Sequence, residues 1–493
     1  MSLSFRIVVT CALLSVVVSI IPKNIPHTLR SRLQSYSHPL SDDTPVVKPS
    51  LIAPPSSGGI RLTPLDFGAD PTGHTDSSNA IQACIQACVN YSSTIDFLGH
   101  FPGDASFGNG KYIRNAGGCV IDLAGGEYLV SKPITFPEYL ANVNFGHGSL
   151  VADATPGVFP IDSFLLVVGV DGSCKVPQGS CNIDINFPEL FLDGSHVASG
   201  IQVNNIMGST LGPGSYLLNF SSYGVQVNGG HELMISRCWL GETNFDYPFS
   251  KTDLPKAIAI QINGNDHYVS DTVVFSSKIG LEVNGAADYI TGVHVWFPDN
   301  QALAFVDEGV KAFHITGYQN RFVGCYIDGS RAVFDTGGLN HNIWVDGFEC
   351  CAGVGGVPHG IMLLGDSVGG GMVIENNIFC GGNIFSVSTT PGKQVAVKGT
   401  RIESNSFCGQ GVGSKATLSL TQTTATQWNF NFCNYLVFPT ISRVKVNVIT
   451  TSGFPIAIAR PTVNCTVLVE TNEPVTGTIS VDVDSSDLDD EFV

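Results

Sequence analysis

The sequence predicts an all-β solenoid, in which short strands wind into stacked coils around one continuous core. The main observation is a phrase of alternating apolar and polar residues that ends at an Asn-led turn. It occurs four times, as Ile201-Gln-Val-Asn-Asn205, Val225-Gln-Val-Asn-Gly229, Ile260-Gln-Ile-Asn-Gly264 and Leu281-Glu-Val-Asn-Gly285. Repetition at a period of about 20 to 30 residues, with strands and no helix between the copies, is typical of solenoids.

The composition agrees with this fold class. Hydrophobic residues make up 43% of the 493 residues, charged residues only 13%, and 55 residues are glycine, which is typical of a turn-rich all-β protein. Because a solenoid grows in one dimension, we expect one long domain despite the length. The net charge of −18 argues against nucleic acid as a partner, and a polyanionic partner would need a local basic groove.

The N-terminal region predicts secretion. Arg6 precedes an apolar run from Ile7 to Ile21, so residues 1–21 are expected to be a signal peptide, with a signal anchor as the alternative. Residues 22–59, rich in Pro and Ser, are expected to be a flexible leader. No later segment is apolar enough to span a membrane, so we expect no membrane contact after cleavage.

A helix is predicted immediately before the first coils. Asp76-Ser-Ser78 forms a capping sequence, and the apolar residues that follow share one helical face, namely Ala80, Ile81, Cys84, Ile85 and Cys88. This helix is expected to cover the open end of the first coil, where unpaired strand edges would invite aggregation. Gly117 to Ser131 then reads as two strands around a Gly-Gly turn.

The coils are expected to fill residues 60–412, with Phe245 to Pro255 as a loop that interrupts the repeat. After Lys415 the pattern becomes plain two-residue alternation, as in Val444 to Ile449 and Thr476 to Val483. Residues 413–493 are therefore expected to form a C-terminal β cap that ends in an acidic tail.

The cysteines predict disulfides, as expected for a secreted protein. Of fourteen cysteines, Cys11 lies in the signal peptide, and the thirteen that remain are an odd number, which implies a free thiol or an intermolecular bond. Cys174 with Cys181, and Cys380 with Cys408, are the pairs proposed from spacing and from two echoing phrases. No spacing matches a zinc site, and we expect no metal or cofactor.

Three sequons start at Asn90, Asn219 and Asn464. Together with a signal peptide they predict N-glycosylation.

The residues also resemble a known family. Leu65-Asp-Phe-Gly-Ala-Asp-Pro-Thr-Gly73, Asp76-Ser-Ser-Asn-Ala-Ile-Gln82 and the segment Gly117 to Ser131 look like the opening of the pectate-lyase superfamily of right-handed parallel β-helices. From about residue 60 the chain resembles the plant QUARTET-type polygalacturonases, which are related to glycoside hydrolase family 28. The resemblance implies a secreted enzyme that hydrolyses α-1,4 bonds between galacturonates in cell-wall pectin, and an association with pectin removal around pollen.

The resemblance also implies a set of site residues. Asp299 and Asp328 would be the acid and base of hydrolysis, and His359 would orient or tune a carboxylate. Arg401 and Lys398 would hold the carboxylate of the substrate. The chain departs from the family at Asp328-Gly-Ser-Arg331, where the family has paired aspartates and this sequence offers one.

A second candidate set comes from the repeat itself. Counting seven residues from the start of each phrase gives Glu232, His267 and Asp288. On adjacent coils these side chains would form a column, with the two carboxylates roughly 9.6 Å apart, near the upper limit for an inverting glycosidase. The alternative is that they are polar residues just beyond a turn. Trp239, as well as other aromatics, could form a sugar platform or belong to the core.

Two other functions stay open. A pectate lyase on the same fold would need Ca²⁺, for which Asp266, Asp271 and Asp288 are possible ligands without forming a compact motif. A wall-binding β-helix without catalysis would explain the single aspartate at the family's paired position. In each case we expect a monomer whose partner is a polysaccharide.

Overall fold

The structure, a computed structural model, describes residues 59–94, 113–169, 181–243, 257–297, 310–335, 341–350, 360–368, 370–393, 395–397, 399–409, 411–451, 453–462 and 465–486. The predicted signal peptide, nearly all of the predicted leader and the predicted loop from Phe245 to Pro255 lie outside the described residues. In the part of the chain that is described, no helix is long and apolar enough to cross a bilayer.

The N-terminal elements are a short 3₁₀ helix, Pro64–Phe67, the helix α1, Ser78–Tyr91, and the first strands. These strands are β1 (Arg61–Leu62), β2 (Thr72–Asp76), β3 (Ser93–Thr94), β4 (Arg114–Asp122), β5 (Glu127–Val130), β6 (Ile134–Phe136), β7 (Leu140–Gly146), β8 (Gly148–Ala152), β9 (Phe164–Val168), β10 (Asn182–Phe187), β11 (Leu190–Asp193), β12 (Ser199–Leu211), β13 (Tyr216–Leu218), β14 (Tyr223–Ser236) and β15 (Trp239–Gly241).

The middle of the chain continues with shorter strands of more regular length. They are β16 (Ile258–Ile262), β17 (Tyr268–Ser270), β18 (Val273–Phe275), β19 (Ile279–Val283), β20 (Tyr289–Thr291), β21 (His294–Trp296), β22 (Lys311–Ile315), β23 (Arg321–Val323), β24 (Tyr326–Asp328), β25 (Arg331–Phe334), β26 (Ile343–Val345), β27 (Phe348–Cys350), β28 (Gly360–Leu364), β29 (Ser367–Val368), β30 (Val373–Glu375), β31 (Ile378–Cys380), β32 (Asn383–Val387), β33 (Ala396–Val397), β34 (Arg401–Glu403) and β35 (Ser406–Phe407). The last four are β36 (Lys415–Asn431), β37 (Arg443–Thr450), β38 (Ala457–Thr462) and β39 (Thr466–Asp484).

The coils place their strands in three rows, and the neighbours within a row pair in parallel. Row I runs through β6, β9, the first halves of β12 and β14, β16, β19, β22, β25, β28 and β32. Row II runs through β1, β4, β7, β10, the second halves of β12 and β14, β17, β20, β23, β26, β30 and β34. Row III runs through β2, β5, β8, β11, β13, β15, β18, β21, β24, β27, β31 and β35. The predicted parallel β-helix is thus confirmed.

The four repeated phrases occupy row I in register. Their apolar members, such as Ile260 and Leu281, are fully buried in the core, while the Gln or Glu and the Asn between and after them are at least partly exposed in most copies. Because side chains alternate along a strand, the phrase has an inner apolar face and an outer polar face. The repeat therefore builds the core and a polar outer surface at the same time.

Helix α1 packs against the first coils through one face. Ile81, Cys84, Ile85, Cys88 and Val89 are buried in the same core cluster as the strands. At its start, Asp76 Oδ1 accepts hydrogen bonds from the Ser78 N–H and from the Ser131 N–H, at 3.0 and 3.1 Å. The first turn of the helix is thus fastened to the end of β5.

The C-terminal strands form a separate antiparallel sheet. The long strand β39 lies between β36 on one side and both β37 and β38 on the other. Its own core is a cluster around Trp428, Phe430 and Phe432.

Three disulfides join described cysteines. The predicted pair Cys380–Cys408 is confirmed, on neighbouring coils of row III, whereas Cys88–Cys119 and Cys433–Cys465 were not predicted. Cys181 is also disulfide-bonded, and its proposed partner Cys174 lies outside the described residues. The free thiols in the described chain are Cys84, Cys238, Cys325 and Cys350.

Candidate active site

The outer surface of row I carries a column of amide side chains that ends in charged residues. Gln202 Nε2 donates to Gln226 Oε1 at 2.8 Å, and Gln226 Nε2 donates to Gln261 Oε1 at 2.8 Å. On the next two coils the same position is Glu282 and then His314. Gln261 Nε2 donates to one oxygen of Glu282, and the other oxygen is 3.2 Å from His314 Nδ1. We call these five residues the glutamine column.

A second column lies two residues further along the same strands. Asn228, Asn263 and Asn284 each donate from Nδ2 to the amide oxygen of the Asn on the preceding coil, at 2.9 to 3.0 Å. Thr316 Oγ1 donates to Asn284 Oδ1 at 2.6 Å. The outer surface of row I is therefore polar over five coils.

A second carboxylate, that of Asp335, lies beside the end of the glutamine column that consists of ionisable groups. His314 Nε2 is 3.9 Å from Asp335 Oδ2, on the opposite side of the ring from Glu282. The side chains of Glu282 and His314 are each 15% exposed and that of Asp335 is 44% exposed. With the width of the ring included, the contacting oxygens of the two carboxylates are at most about 9 Å apart, and this upper limit is compatible with the separation typical of inverting glycosidases.

The charges around this cluster are mixed. The hydrogen bond from His314, with help from Gln261, holds the pKa of Glu282 below its ordinary value despite partial burial, so this carboxylate is ionised. Burial lowers the pKa of Lys311, which is also influenced by the charges of Asp335, Arg331, Glu282 and Lys278. The charges of two other cations and two carboxylates thus act on Lys311.

This arrangement has the parts needed for hydrolysis of an anionic polysaccharide. An ionised carboxylate can activate water, and a second carboxyl group at this separation can protonate the leaving oxygen. The lysines and the arginine can bind carboxylates of the substrate. We call Glu282, His314 and Asp335 the acidic cluster, and Lys278, Lys311 and Arg331 the basic groove.

The set predicted from the family resemblance is only partly described. Asp299, His359 and Lys398 lie outside the described residues. Asp328 ends β24 in row III, in register with Trp296 and Cys350. Arg401 begins β34 in row II, where its guanidinium pairs with Glu375. Asp328 and Arg401 are thus on different rows, and their predicted roles stay predictions.

Of the predicted column, His267 and Asp288 occupy equivalent positions and Glu232 is one residue out of register, while a catalytic role for the set stays a prediction. His267 and Asp288 precede the paired residues Tyr268 and Tyr289, so they occupy equivalent positions. Tyr268 pairs with Met234, so the residue equivalent to His267 is Leu233 and not Glu232. The reason is an extra residue in β14, where Val227 to His231 matches only Ile262 to Asn265 on the next coil.

His267 and Asp288 belong to a buried ladder of hydrogen bonds inside a corner of the solenoid. The Leu233 N–H donates to His267 Nδ1 at 3.1 Å, and the His267 N–H donates to Asp288 Oδ1 at 2.9 Å. Both residues are at most 1% exposed. Burial lowers the pKa of His267 to about 4 and raises that of Asp288 to about 8. These bonds connect successive coils and favour a structural role.

Sequence reasoning missed Glu282, His314 and Asp335 as candidates. The signal was present, because the second position of the repeated phrase is Gln in three copies and Glu282 in the fourth. An ionisable group that replaces a neutral amide in a repeat indicates a local function. His314 could be added only once β22 was known to follow β19 in row I.

The sequons differ in their surroundings. Asn90 is exposed near the end of α1. Asn219 is half-buried, and its Nδ2 donates to Asp193 Oδ1 at 3.1 Å while its Oδ1 accepts from Thr243. Asn464 lies outside the described residues. Glycosylation at these positions stays a prediction.

The aspartates considered as Ca²⁺ ligands do not assemble. Asp266, Asp271 and Asp288 are on or near the corner that holds the buried ladder. In the described ranges, no group of three or more His, Cys, Asp or Glu side chains is arranged to hold a metal ion.

Comparison with known proteins shows similarity to a plant protein along most of the chain. The chain is 29% identical over 461 residues to Polygalacturonase QRT3 of Arabidopsis thaliana, which covers 88% of each protein. No family model matches the sequence.

Similar solved structures include ORF18 of Geobacillus virus E2, with 13% identity, a TM-score of 0.47 and coverage of 85% of this chain and 77% of that one. They also include the tailspike protein of E. coli bacteriophage HK620, with 10% identity, a TM-score of 0.46 and coverage of 86% and 93%. PfbA, a surface adhesin of Streptococcus pneumoniae, has 12% identity, a TM-score of 0.45 and coverage of 84% and 99%. The similarity to Polygalacturonase QRT3 along most of the chain confirms the resemblance to the plant QUARTET-type polygalacturonases that the sequence predicted.

Proposed function

We propose that the chain is a secreted glycoside hydrolase that cleaves α-1,4 bonds between galacturonates in cell-wall pectin, and that the acidic cluster is its catalytic centre. The observation that carries the proposal is the meeting of two carboxylates, Glu282 and Asp335, across His314 beside the basic groove. The name of the sequence relative, a polygalacturonase, supports the same substrate class.

The residues of the acidic cluster have separate roles in this proposal. Glu282 is ionised and acts as the base that activates water. Asp335, the more exposed carboxyl group, gives its proton to the leaving oxygen of the glycosidic bond. His314 contacts Glu282 at 3.2 Å through Nδ1 and holds it in place. At this separation one water fits between base and sugar, so hydrolysis inverts the anomeric configuration.

The basic groove explains how a protein of net charge −18 binds a polyanion. Lys278, Lys311 and Arg331 lie beside the acidic cluster, where their charges act on one another. Their local field offsets the overall repulsion, because screening in physiological salt limits the reach of distant charges to about 8 Å. Secretion and action in the wall follow from the same proposal, through the predicted signal peptide.

The test is an assay of the purified secreted protein on polygalacturonate at mildly acidic pH. Reducing ends and ultraviolet absorbance are followed together, with and without a Ca²⁺ chelator. A hydrolase gives reducing ends without absorbance, a lyase gives an absorbing unsaturated end, and a binding protein gives neither. The proposal requires the first result.

Variants assign the chemistry to residues. Glu282→Gln and Asp335→Asn are each expected to lower kcat at least 100-fold with unchanged folding, because each removes one acid-base group. Asp328→Asn and Glu232→Gln are the matched controls from the two sets predicted from sequence. The assignment to the acidic cluster would be overturned if Glu282→Gln kept full activity. It would also be overturned if, of these variants, only Asp328→Asn lost activity.

A further inference from the structure

The outer surface of row III carries a line of aromatic rings, on a different row from the acidic cluster. Phe191, Tyr216 and Trp239 are in register on three successive strands, β11, β13 and β15. The ring centroids of Phe191 and Tyr216 are 6.1 Å apart. Tyr216 is 39% exposed and Trp239 is 43% exposed.

The line continues on later coils after one aliphatic position, Val273. His294, Tyr326 and Phe348 are in register on β21, β24 and β27, with centroid separations of 4.3 and 5.2 Å along the series. Phe348 is 37% exposed. We call the six rings the aromatic strip. It spans seven coils, which at the usual strand spacing is roughly 29 Å.

The strip is not needed to fill the core. The residue that follows each ring on the same strand points inward, and Leu217, Leu240, Val295 and Ile327 in these positions are at most 2% exposed. The rings therefore form a second apolar layer on the outside of a sheet that already has a complete inner layer. Rows of partly exposed aromatic side chains on a soluble protein mark binding surfaces.

The charge of this surface indicates the class of ligand. In the described strands from β11 to β27, the outward positions of row III contain no Lys or Arg, and their charged members are Asp193 and Asp328. Burial lowers the pKa of His294 to about 4, so this ring is neutral at the pH of the assays. Along these strands a polyanion would thus meet acidic groups and no cation, in contrast to the basic groove of row I, although Arg237 is exposed at the corner two residues before Trp239.

We propose that the aromatic strip binds a neutral, extended polysaccharide and attaches the protein to a second polymer while row I acts on galacturonan. The C–H faces of pyranose rings are apolar and stack on aromatic rings. The Tyr216 hydroxyl and the Trp239 indole N–H provide polar groups at the edges for sugar hydroxyls. A linear chain of sugars can follow a straight line of rings, since each coil repeats the same contact.

The test measures binding of the full chain to two neutral probes, insoluble cellulose and soluble xyloglucan, and to polygalacturonate as the anionic probe. Binding to cellulose is read as depletion of the protein from solution. The double variant Tyr216→Ala with Trp239→Ala is expected to bind the neutral polymers at least about tenfold more weakly. The control is the double variant Met234→Ala with Tyr268→Ala, which removes residues of similar exposure, 49% and 43%, from row II.

The variant Trp239→Phe keeps an aromatic ring at this position and is expected to retain most of the binding. It therefore separates the effect of losing the ring from an effect on folding. Reducing-end release from polygalacturonate is measured in parallel and is expected to be unchanged in the strip variant, so failure of this inference is distinguishable from failure of the proposed function. The inference is overturned if the native chain binds neither neutral polymer, if both double variants bind equally, or if the strip variant loses binding to polygalacturonate instead.

Discussion

Asp288 provides a direct test of how the coils are held together. The next two members of the buried ladder are asparagines, and each makes two bonds. Asn320 Oδ1 accepts from the Asp288 N–H at 2.9 Å while its Nδ2 donates to the Gly285 carbonyl at 3.2 Å. Asn342 repeats both bonds with Asn320 and Gly317, at 2.8 and 3.0 Å.

As a carboxylate, Asp288 can make only one of these two bonds, the one in which a side-chain oxygen accepts from a backbone N–H. Its Oδ1 accepts from the His267 N–H, but Oδ2 is buried without a hydrogen-bond partner. A methyl group added at Gly285 would touch both this Oδ2 and the Gly264 carbonyl oxygen, which shows that the two acceptors are near each other. A proton on Oδ2 would turn this contact into a hydrogen bond, so the neutral acid is the form that fits the ladder.

The substitution Asp288→Asn is therefore expected to stabilise the protein at neutral pH. Burial raises the pKa of Asp288 to about 8, whereas an aspartate in the unfolded chain has a pKa of about 3.9. Between these values the folded state binds more protons than the unfolded state, so the native protein loses stability as pH rises from about 4 to 8. At 1.36 kcal/mol per pH unit the loss by pH 7 is at most about 4 kcal/mol, and we expect roughly 2–4 kcal/mol.

Urea unfolding under non-reducing conditions at pH 4.5 and pH 8 measures the effect. The Asn variant should match the native chain at the lower pH and exceed it at the higher pH. Asp271→Asn, an exposed carboxylate that is not among the groups shifting the pKa of Asp288, is the control and should leave the pH dependence nearly unchanged. The reasoning would be refuted if the free energy of unfolding changed with pH to the same extent in Asp288→Asn and in the native protein. It would also be refuted if the Asn variant were less stable than the native protein at pH 8.

Three further predictions concern other sites. Glu349 is 4% exposed in the core, both its oxygens lack partners and burial raises its pKa to about 8, so Glu349→Leu should raise the Tm at pH 8 more than at pH 5; an equal shift at both would contradict this. Lys311→Gln should raise KM for polygalacturonate about tenfold or more with little change in kcat, since a uniform contact to the substrate is lost; an unchanged KM would remove Lys311 from the basic groove. Replacing Cys380 and Cys408 together by serine should lower the free energy of unfolding by about 2–4 kcal/mol, as read from urea midpoints, and no change would mean that the bond does not constrain the unfolded chain.

The solenoid could be predicted from sequence because the strands of row I contain the repeated phrases. Each phrase alternates buried and exposed residues, so Ile201, Val225, Ile260 and Leu281 identify stacked strands directly. Rows II and III have shorter strands, mostly of three residues, in which alternation is too brief to be recognised. Their number and order become visible only when the strands pair.

The candidate site could not be predicted to the same extent. Glu282 is 32 residues from His314 along the chain, although the two are neighbours across one strand spacing. The connections between coils vary in length, so counting along the sequence cannot tell which polar residues meet. The same variation misplaced Glu232, since one extra residue in β14 is enough to shift the register.

The glutamine column has a direction. Every amide in it donates toward Glu282, from Gln202 through Gln226 to Gln261, while the asparagines beside it donate the opposite way. The aligned amide dipoles thus have their positive ends at Glu282, and each polarises the next. Turning Gln261 would place a carbonyl oxygen against the carboxylate, and turning Gln202 or Gln226 would place it against the carbonyl oxygen of the next glutamine. The negative charge on Glu282 therefore favours one orientation of side chains as far as three coils away, and the asparagine two residues after each glutamine supports the same orientation by donating to its Oε1.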